Sequence, residues 1–180
     1  MIIDEQLLLQ QLRDPKTQRR AFENVVRKYS EQLYWQVRRI VLTHDDANDV
    51  LQNAFIKAWQ ALDNFHGDAK LLTWLSRIAI NESLDFLRRN NHPTVSTEDE
   101  SSISLTLQAD PYFDGSEVEA MLQEAIATLP DVQRSVFLMR YYDEMKYSEI
   151  SQILNTSEGA LKASYHIAVK KIADFFKARD

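Results

Sequence analysis

Apolar residues recur every three or four positions through three stretches of the N-terminal half of the chain. This spacing puts them on one face of an α-helix, where they are buried against neighbouring helices. The first stretch covers residues 17–42, the second follows the sequence THDD, in which Thr43 or an Asp would cap the helix, and the third follows Gly67 and Asp68. The pattern predicts three amphipathic helices that pack as a small bundle.

Shorter stretches with the same period fill the C-terminal part. A helix predicted over residues 118–127 stops before Pro130, which favours the start of the next helix. That helix, DVQRSVFLMRYY, is predicted to turn Val132 and Val136 toward the core, and YSEISQIL and SEGALKASYHIAVKKI supply two more. Four predicted helices therefore form a second small domain.

The segment between these two parts has a different character. Residues 90–114 contain Pro93 and Pro111, many Ser and Thr residues and little helical period, as is typical of a linker. We expect domains at residues 1–90 and 116–180, joined by a linker at residues 91–115. The alternative is one domain with a long surface loop, although loops of more than about 15 residues are uncommon in compact domains. Glycines and strand-like alternation are scarce, so the predicted fold class is all-α, with two small helical domains.

The net charge of −6 is unevenly distributed along the chain. Residues 91–120 hold seven acidic side chains and no Lys or Arg, which leaves a net charge of +1 for the remainder. The linker is therefore acidic, and the domains beside it are free to carry basic faces. Because charge location decides nucleic-acid binding, the acidic total does not exclude it.

Several function classes are disfavoured by what the sequence lacks. Zero cysteines exclude disulfides, thiol catalysis and cysteine-based zinc sites. The four histidines are scattered, and no Ser-His-Asp group or Gly-rich phosphate loop is found. The run His44-Asp45-Asp46 is explained better by helix capping than by metal binding. We therefore expect no enzyme, cofactor, metal site or small-molecule substrate.

No apolar run reaches about 18 residues and no leader is found, so we expect a cytoplasmic protein without direct membrane insertion.

The last two predicted helices have the layout of a helix-turn-helix. In the final helix, apolar residues from Leu161 to Phe175 recur at intervals of three and four, so Lys162, His166 and Lys170 face outward. The sequence NTSE offers a turn and an N-cap, and Gly159 and Ala160 are small where two helices must cross. Such a second helix enters the major groove of DNA. A surface amphipathic helix pair remains the alternative at this point.

Three segments together resemble a known family. DANDVLQNAFIKAW, then FHGDAKLLTWLSRIAINESLDFLRR, then LPDVQRSVFLMRYYDEMKYSEISQILNTSEGALKAS are similar to extracytoplasmic-function (ECF) sigma factors of bacterial RNA polymerase. The resemblance covers about 150 of the 180 residues. Each motif alone is weak, but their order and spacing are specific. The resemblance implies a factor that directs core RNA polymerase to promoters and nucleates promoter melting, without doing chemistry itself.

The resemblance also implies partners and surfaces. The first domain would bind the polymerase clamp and the downstream promoter element, and the second would lie near the flap and read the upstream element. An anti-sigma partner, commonly membrane-anchored, is implied as well. The implied polymerase-binding residues are Asp49, Gln52, Asn53 and Lys57. The implied residues for the downstream element are Phe65, His66, Gly67, Lys70, Thr73, Trp74, Arg77, Asn81, Arg88 and Arg89. Those for the upstream element are Ser157, Glu158, Lys162, Ala163, Ser164, His166, Lys170 and Lys171.

Two departures from the family pattern bear on specificity. The family often has an aromatic residue before the Thr-Trp pair, whereas KLLTW has Leu72 there, and Trp74 itself is either a wedge against bases or a core residue. Ser164, Ile167 and Val169 stand where arginines are frequent in the last helix. Fewer guanidinium groups mean fewer bidentate contacts to guanine.

Two other functions compete with the one that the resemblance implies. A stand-alone helix-turn-helix regulator would bind duplex DNA without polymerase, usually as a dimer on a two-fold site. A helical adaptor would not depend on Lys162 or Lys170. The segment from Trp74 to Asn81 favours the sigma interpretation, because a plain regulator needs no strand-opening device.

Overall fold

Eight α-helices make up most of residues 4–90 and 113–179, the parts of the chain that the computed structural model describes. No strand occurs among these residues, and the fold class is all-α, as predicted. The linker prediction falls largely on residues outside these ranges. The helices are α1 (Glu5–Arg13), α2 (Gln18–Val41), α3 (His44–Gln60), α4 (Leu71–Asn90), α5 (Glu117–Ala127), α6 (Asp131–Tyr141), α7 (Tyr147–Leu154) and α8 (Glu158–Lys177).

Helices α1 to α4 form the first bundle, with α2 packed against each of the other three. The Thr43 hydroxyl accepts a hydrogen bond from the Asp46 N–H at 3.2 Å, so Thr43 caps α3 as predicted. Leu42 ends α2 in the left-handed conformation, at a φ of 74°. A short 3-10 helix, Leu62–Asn64, follows α3. The three predicted helices are present, and α1 is an additional helix that periodicity did not predict.

Helices α5 to α8 form the second bundle, in which α8 packs against α5, α6 and α7. Along α6, Val136 and Met139 are fully buried. Val132 lies on the same stripe but is exposed, so its predicted core position is wrong. The stripe is covered only from the second turn of α6 onward.

The two bundles contact each other through α2 and α6. The guanidinium of Arg134, buried in α6, donates to the Ile40 carbonyl at the end of α2 (3.2 Å) and to Asp131 (2.9 Å). The Gln36 amide donates to the Asp143 carboxylate at 2.9 Å. The buried apolar residues of both bundles belong to one continuous cluster. The domains are thus packed together along α2.

None of the helices within the described ranges has both the length and the apolarity that crossing a lipid bilayer would require.

Candidate interfaces for DNA and a protein partner

The outer face of α3 carries three of the predicted polymerase-binding residues. Asp49, Gln52 and Asn53 are all exposed, on the side away from the buried residues of the helix. Ile56 lies one turn further along the same face, and 49% of its surface is exposed. The structure therefore brings together a carboxylate, two amides and an uncovered apolar side chain.

Lys57, the fourth of these residues, lies on the flank of α3 that meets α4. Its ammonium contacts Glu82 of α4, a carboxylate that is only 2% exposed. The other oxygen of Glu82 accepts from Arg89 at 3.3 Å. Lys57 thus lies at the edge of the outer face of α3, one turn after Asn53, and is joined through Glu82 to Arg89, a residue predicted to contact DNA.

The predicted base-capturing loop runs from Phe65 to Lys70 and is fixed at several points. The Phe65 ring lies 4.9 Å from the Trp74 ring, centroid to centroid, with the planes tilted by 38°. Gly67 adopts a φ of +82°, which favours glycine. His66, Gly67 and Lys70 are exposed, whereas Phe65 is half-buried. The loop therefore presents polar groups around one aromatic pair.

Helix α1 contacts both ends of this loop. The Arg13 guanidinium donates to the His66 carbonyl at 3.4 Å, and the Glu5 carboxylate accepts from the Leu71 N–H at 3.3 Å. An acidic group at the N-terminus of a helix also complements the helix dipole. The missed helix α1 thus helps to hold the loop against α4.

Trp74 is neither fully buried in the core nor fully exposed as a wedge against DNA bases. It is half-buried and packs on Phe65 while part of its ring stays accessible. Thr73 and Arg77 are half-buried, and Asn81 is exposed. The accessible surface of α4 therefore begins at the aromatic pair and continues along the helix.

The arginines of α4 are all engaged in ion pairs. Arg77 lies 3.8 Å from Glu149 of α7, which belongs to the other bundle. Arg88 pairs with Asp85, three residues earlier, at 2.9 Å. Exposed pairs of this kind contribute at most about 1 kcal/mol, so an incoming phosphate competes with them easily.

The helix-turn-helix is built as predicted. Helix α7 ends at Asn155, whose φ of 50° turns the chain. The Ser151 hydroxyl donates to the Thr156 carbonyl at 2.7 Å, which fixes the turn. Ser157 then caps α8, because its hydroxyl accepts from the Ala160 N–H at 3.3 Å. The cap and the turn set the angle at which α8 leaves α7.

The apolar stripe predicted for α8 faces the core, and the polar side of α8 faces solvent. Leu161, Ala168 and Ile172 are buried. The exposed residues among those predicted to contact the upstream element are Ser157, Glu158, Lys162, Ala163, His166, Lys170 and Lys171. Ser164 is half-buried, and the Lys171 ammonium donates to Gln133 of α6 at 2.9 Å. This end of the molecule thus offers a basic, accessible helix.

The predicted helix crossing at Gly159 and Ala160 is wrong. Both residues are exposed, and a Cβ added to Gly159 would meet no atom within 4 Å. These residues begin α8 on its open side, so they leave space for a partner rather than for another helix.

The contact between the bundles contains a buried ionisable cluster. Burial raises the pKa of Asp143 to about 6, although its hydrogen bond from Gln36 and the nearby Arg39 work in the opposite direction. The Arg39 guanidinium lies 4.0 Å from the Tyr142 ring centroid, and burial lowers its pKa. Burial and the neighbouring Glu119 raise the pKa of Tyr142. The contact therefore includes a carboxyl group whose charge changes near neutral pH.

His44 lies at the start of α3, beside two polar groups. The His44 ring contacts the Tyr34 hydroxyl at 2.7 Å and the Asn48 amide at 3.0 Å. Residues 4–90 and 113–179 contain no group of three His, Asp or Glu residues placed to hold an ion.

Sequence reasoning missed three residues of interest. Ile56 and Trp59 are apolar, but they lie off the buried stripe of α3 and are exposed. Apolar residues outside the stripe could have been recognised from the sequence alone. Glu82 carried a signal as well, because it follows Ile78 by four residues and therefore falls on the apolar side of α4.

Two family models match the chain: Sigma-70 region 2 over residues 25–92, and Sigma-70, region 4 over residues 119–172. The ECF RNA polymerase sigma factor SigW of Bacillus subtilis is 31% identical over 156 residues, which cover 81% of this chain and 83% of that protein. The RNA polymerase sigma-H factor of Pseudomonas aeruginosa is 30% identical over 177 residues, or 89% of this chain and 86% of that protein.

Two solved structures are similar to the fold as a whole. CnrH in complex with the cytosolic domain of CnrY gives a TM-score of 0.67 at 22% identity, covering 98% of this chain and 99% of that one. The sigma factor RpoE in complex with the anti-sigma factor NepR, from Bartonella quintana, gives a TM-score of 0.66 at 19% identity, covering 87% and 96%.

Proposed function

This chain belongs to the ECF sigma factors of the sigma-70 family, and on that premise we propose that it directs core RNA polymerase to specific promoters and nucleates their melting. One observation carries the proposal: a region 2 match and a region 4 match occur in order, and each coincides with an accessible polar helix face. A protein with this role positions polymerase and DNA, and polymerase itself forms the new bonds. We propose that it acts in the cytoplasm, where both partners are found.

We propose the outer face of α3 as the surface that binds the polymerase clamp. Asp49 offers a full negative charge, and Gln52 and Asn53 flank it as hydrogen-bonding groups. A carboxylate of this kind suits a basic partner, because charge-assisted hydrogen bonds are the strong ones. The exposed Ile56 adds apolar area at the same place. The second bundle would lie near the polymerase flap.

The loop from Phe65 to Lys70 and the outer side of α4 are the proposed surface for the downstream promoter element. A protein that separates strands offsets the cost of unstacking by binding an extruded base. The accessible part of the Phe65 and Trp74 pair provides a stacking surface for such a base. Thr73, Arg77 and Asn81 would continue the contact along the strand, and Arg88 and Arg89 would bind phosphates at the end of α4.

Helix α8 is the proposed reader of the upstream element. Lys162 and Lys170 would neutralise phosphates beside the major groove, whereas Ser164 and His166 would reach base edges. Ser157, Glu158 and Ala163, near the open N-terminal end of α8, would complete this surface, and Lys171 would contact the backbone. With no arginine on this side of α8, contacts to phosphate should contribute more than bidentate contacts to guanine.

We propose an anti-sigma factor as a further partner. The Bartonella RpoE structure, which shares the fold, contains an anti-sigma factor. Arg77, a residue of the proposed DNA surface, pairs with Glu149 of the second bundle. While the two bundles are packed together, part of the proposed DNA surface is therefore occupied by the protein itself.

Promoter binding with and without polymerase separates this proposal from a stand-alone regulator. We expect weak promoter binding by the purified chain and tight, sequence-specific binding after core polymerase is added. Fluorescence anisotropy of a labelled promoter, with a scrambled duplex as the control, measures both. Tight specific binding by the chain alone, unchanged by polymerase, would favour the regulator instead.

A further inference from the structure

A buried carboxylate joins two cations from different helices of the first bundle. Glu82 is 2% exposed, and its two oxygens contact the Lys57 ammonium from α3 and the Arg89 guanidinium from α4. A carboxylate removed from water needs such partners, because an unpaired buried charge is costly. Glu82 therefore holds Lys57 and Arg89 side by side.

Both cations keep the capacity to bind a second anion. The side chains of Lys57 and Arg89 are 52% and 61% exposed. An ammonium has three donors and a guanidinium has five, and the bonds to Glu82 occupy only part of each set. The three charges sum to +1, so the cluster still attracts a negative ligand.

The cluster is placed beside the proposed DNA surface. Glu82 lies on the flank of α4 that meets α3, since it contacts Lys57. Arg77 lies on the flank that meets α7, since it pairs with Glu149. The exposed side of α4, including Asn81, lies between the two flanks. A strand that followed this side would pass cations on both edges.

We propose that Lys57 and Arg89 form a single binding site for a phosphodiester of the separated promoter strand, and that Glu82 is its positioning residue. The inference rests on the proposed function and deepens it. It moves Lys57 from the polymerase-binding surface to the DNA-binding surface. The carboxylate fixes the spacing of the two cations, so that one phosphate group can contact both.

The first test removes each cation in the full chain bound to core polymerase. Lys57→Met and Arg89→Met should each weaken binding to a promoter fork with an exposed non-template strand about tenfold. Each should also reduce the slope of log K against log salt, and because the two cations share one phosphate, the double variant should lose no more than about 0.7 in total. Affinity for core polymerase should stay the same. Arg19→Met is the matched control, because Arg19 is an exposed cation that also pairs with a carboxylate, Glu23.

The second test changes only the positioning residue. Glu82→Gln keeps the shape of the side chain but makes the complex one charge more positive. If charge alone mattered, the variant would bind the fork more tightly. Positioning by Glu82 predicts weaker binding, with the melting temperature checked to confirm folding. If this variant fails to fold, Glu82→Asp, which keeps the charge but shortens the side chain, takes its place and should also weaken fork binding if the position of the carboxylate matters.

The outcomes separate this inference from the function on which it rests. If the wild-type chain and core polymerase do not bind the fork at all, the proposed function fails. If they bind it, but Lys57→Met loses polymerase affinity while the salt slope is unchanged, Lys57 belongs to the polymerase surface and the shared phosphate site is wrong. Tighter fork binding by Glu82→Gln would also contradict it.

Discussion

Asp49 and Glu82 are both carboxylates of the first bundle, and their surroundings give them different tasks. Asp49 is exposed, so it can exchange water for a charged partner at little cost. Glu82 is buried and already bound to Lys57 and Arg89. The sequence identified Asp49 through its place off the apolar stripe. The spacing also places Glu82 on the apolar side of α4, but it does not show which cations bind the carboxylate, because these depend on how α3 packs against α4.

Reversing the charge of Asp49 tests its role at the level of one residue. Asp49→Lys should weaken binding to core polymerase by about 2 kcal/mol or more, roughly thirtyfold, because a positive charge would then face a basic partner and repel it. The helical signal in circular dichroism should not change. Glu23→Lys, also exposed on the first bundle, is the control and should bind normally. Loss of helicity in Asp49→Lys would instead make the residue structural.

At the scale of elements, periodicity and capping predicted seven of the eight helices in the described ranges. Residues such as Thr43 and Ser157 mark helix starts through local hydrogen bonds, which the sequence contains in full. Helix α1 was missed because it is fixed by contacts with residues far along the chain, with α2, His66 and Leu71, which its own short sequence does not reveal. Burial of Leu8 and Leu12 stabilises it.

The cap of the recognition helix gives a prediction at this scale. Ser157→Ala removes the hydroxyl that accepts from the Ala160 N–H, and should lower the free energy of unfolding by about 1 kcal/mol. Ser157→Asp retains an acceptor and should be close to the wild type. Urea denaturation followed by circular dichroism measures both. Equal stability of the wild type and the alanine variant would show that the cap contributes nothing.

At the scale of the molecule, the contact between the bundles could not be predicted from the sequence. Gln36 is a polar residue of α2, yet it is buried and its amide donates to Asp143 of the second bundle. Polar residues in an amphipathic helix normally indicate the solvent side, and only the presence of a second bundle changes that expectation. Much of the contact is polar, as is usual for domain interfaces that open and close.

This contact should weaken as pH rises. In the closed form, in which the two bundles are packed together, burial raises the pKa of Asp143 to about 6. If the bundles separated, this pKa would return to about 3.8. The closed form therefore binds an additional proton between these values, and its stability falls as pH rises through about 6. The effect is on the order of 3 kcal/mol, lost between about pH 3.8 and about pH 6. Energy transfer between dyes on the two bundles, from pH 4.5 to 8, measures it.

Asp143→Asn is the matched variant for this measurement. The asparagine oxygen still accepts from Gln36, but the side chain stays neutral, so the pH dependence near 6 should disappear. The closed form should then persist at pH 8. The same pH profile in the variant and the wild type would show that another group is responsible.

The central claim is that two helical units share one task, in which the first binds polymerase and the separated strand and the second reads the duplex. Run-off transcription with purified core polymerase and a promoter library tests it most directly. We predict discrete transcripts from a limited set of templates, only when core polymerase and this chain are both present. If core polymerase is active in a non-specific assay and the chain activates no template in the library, the claim is contradicted.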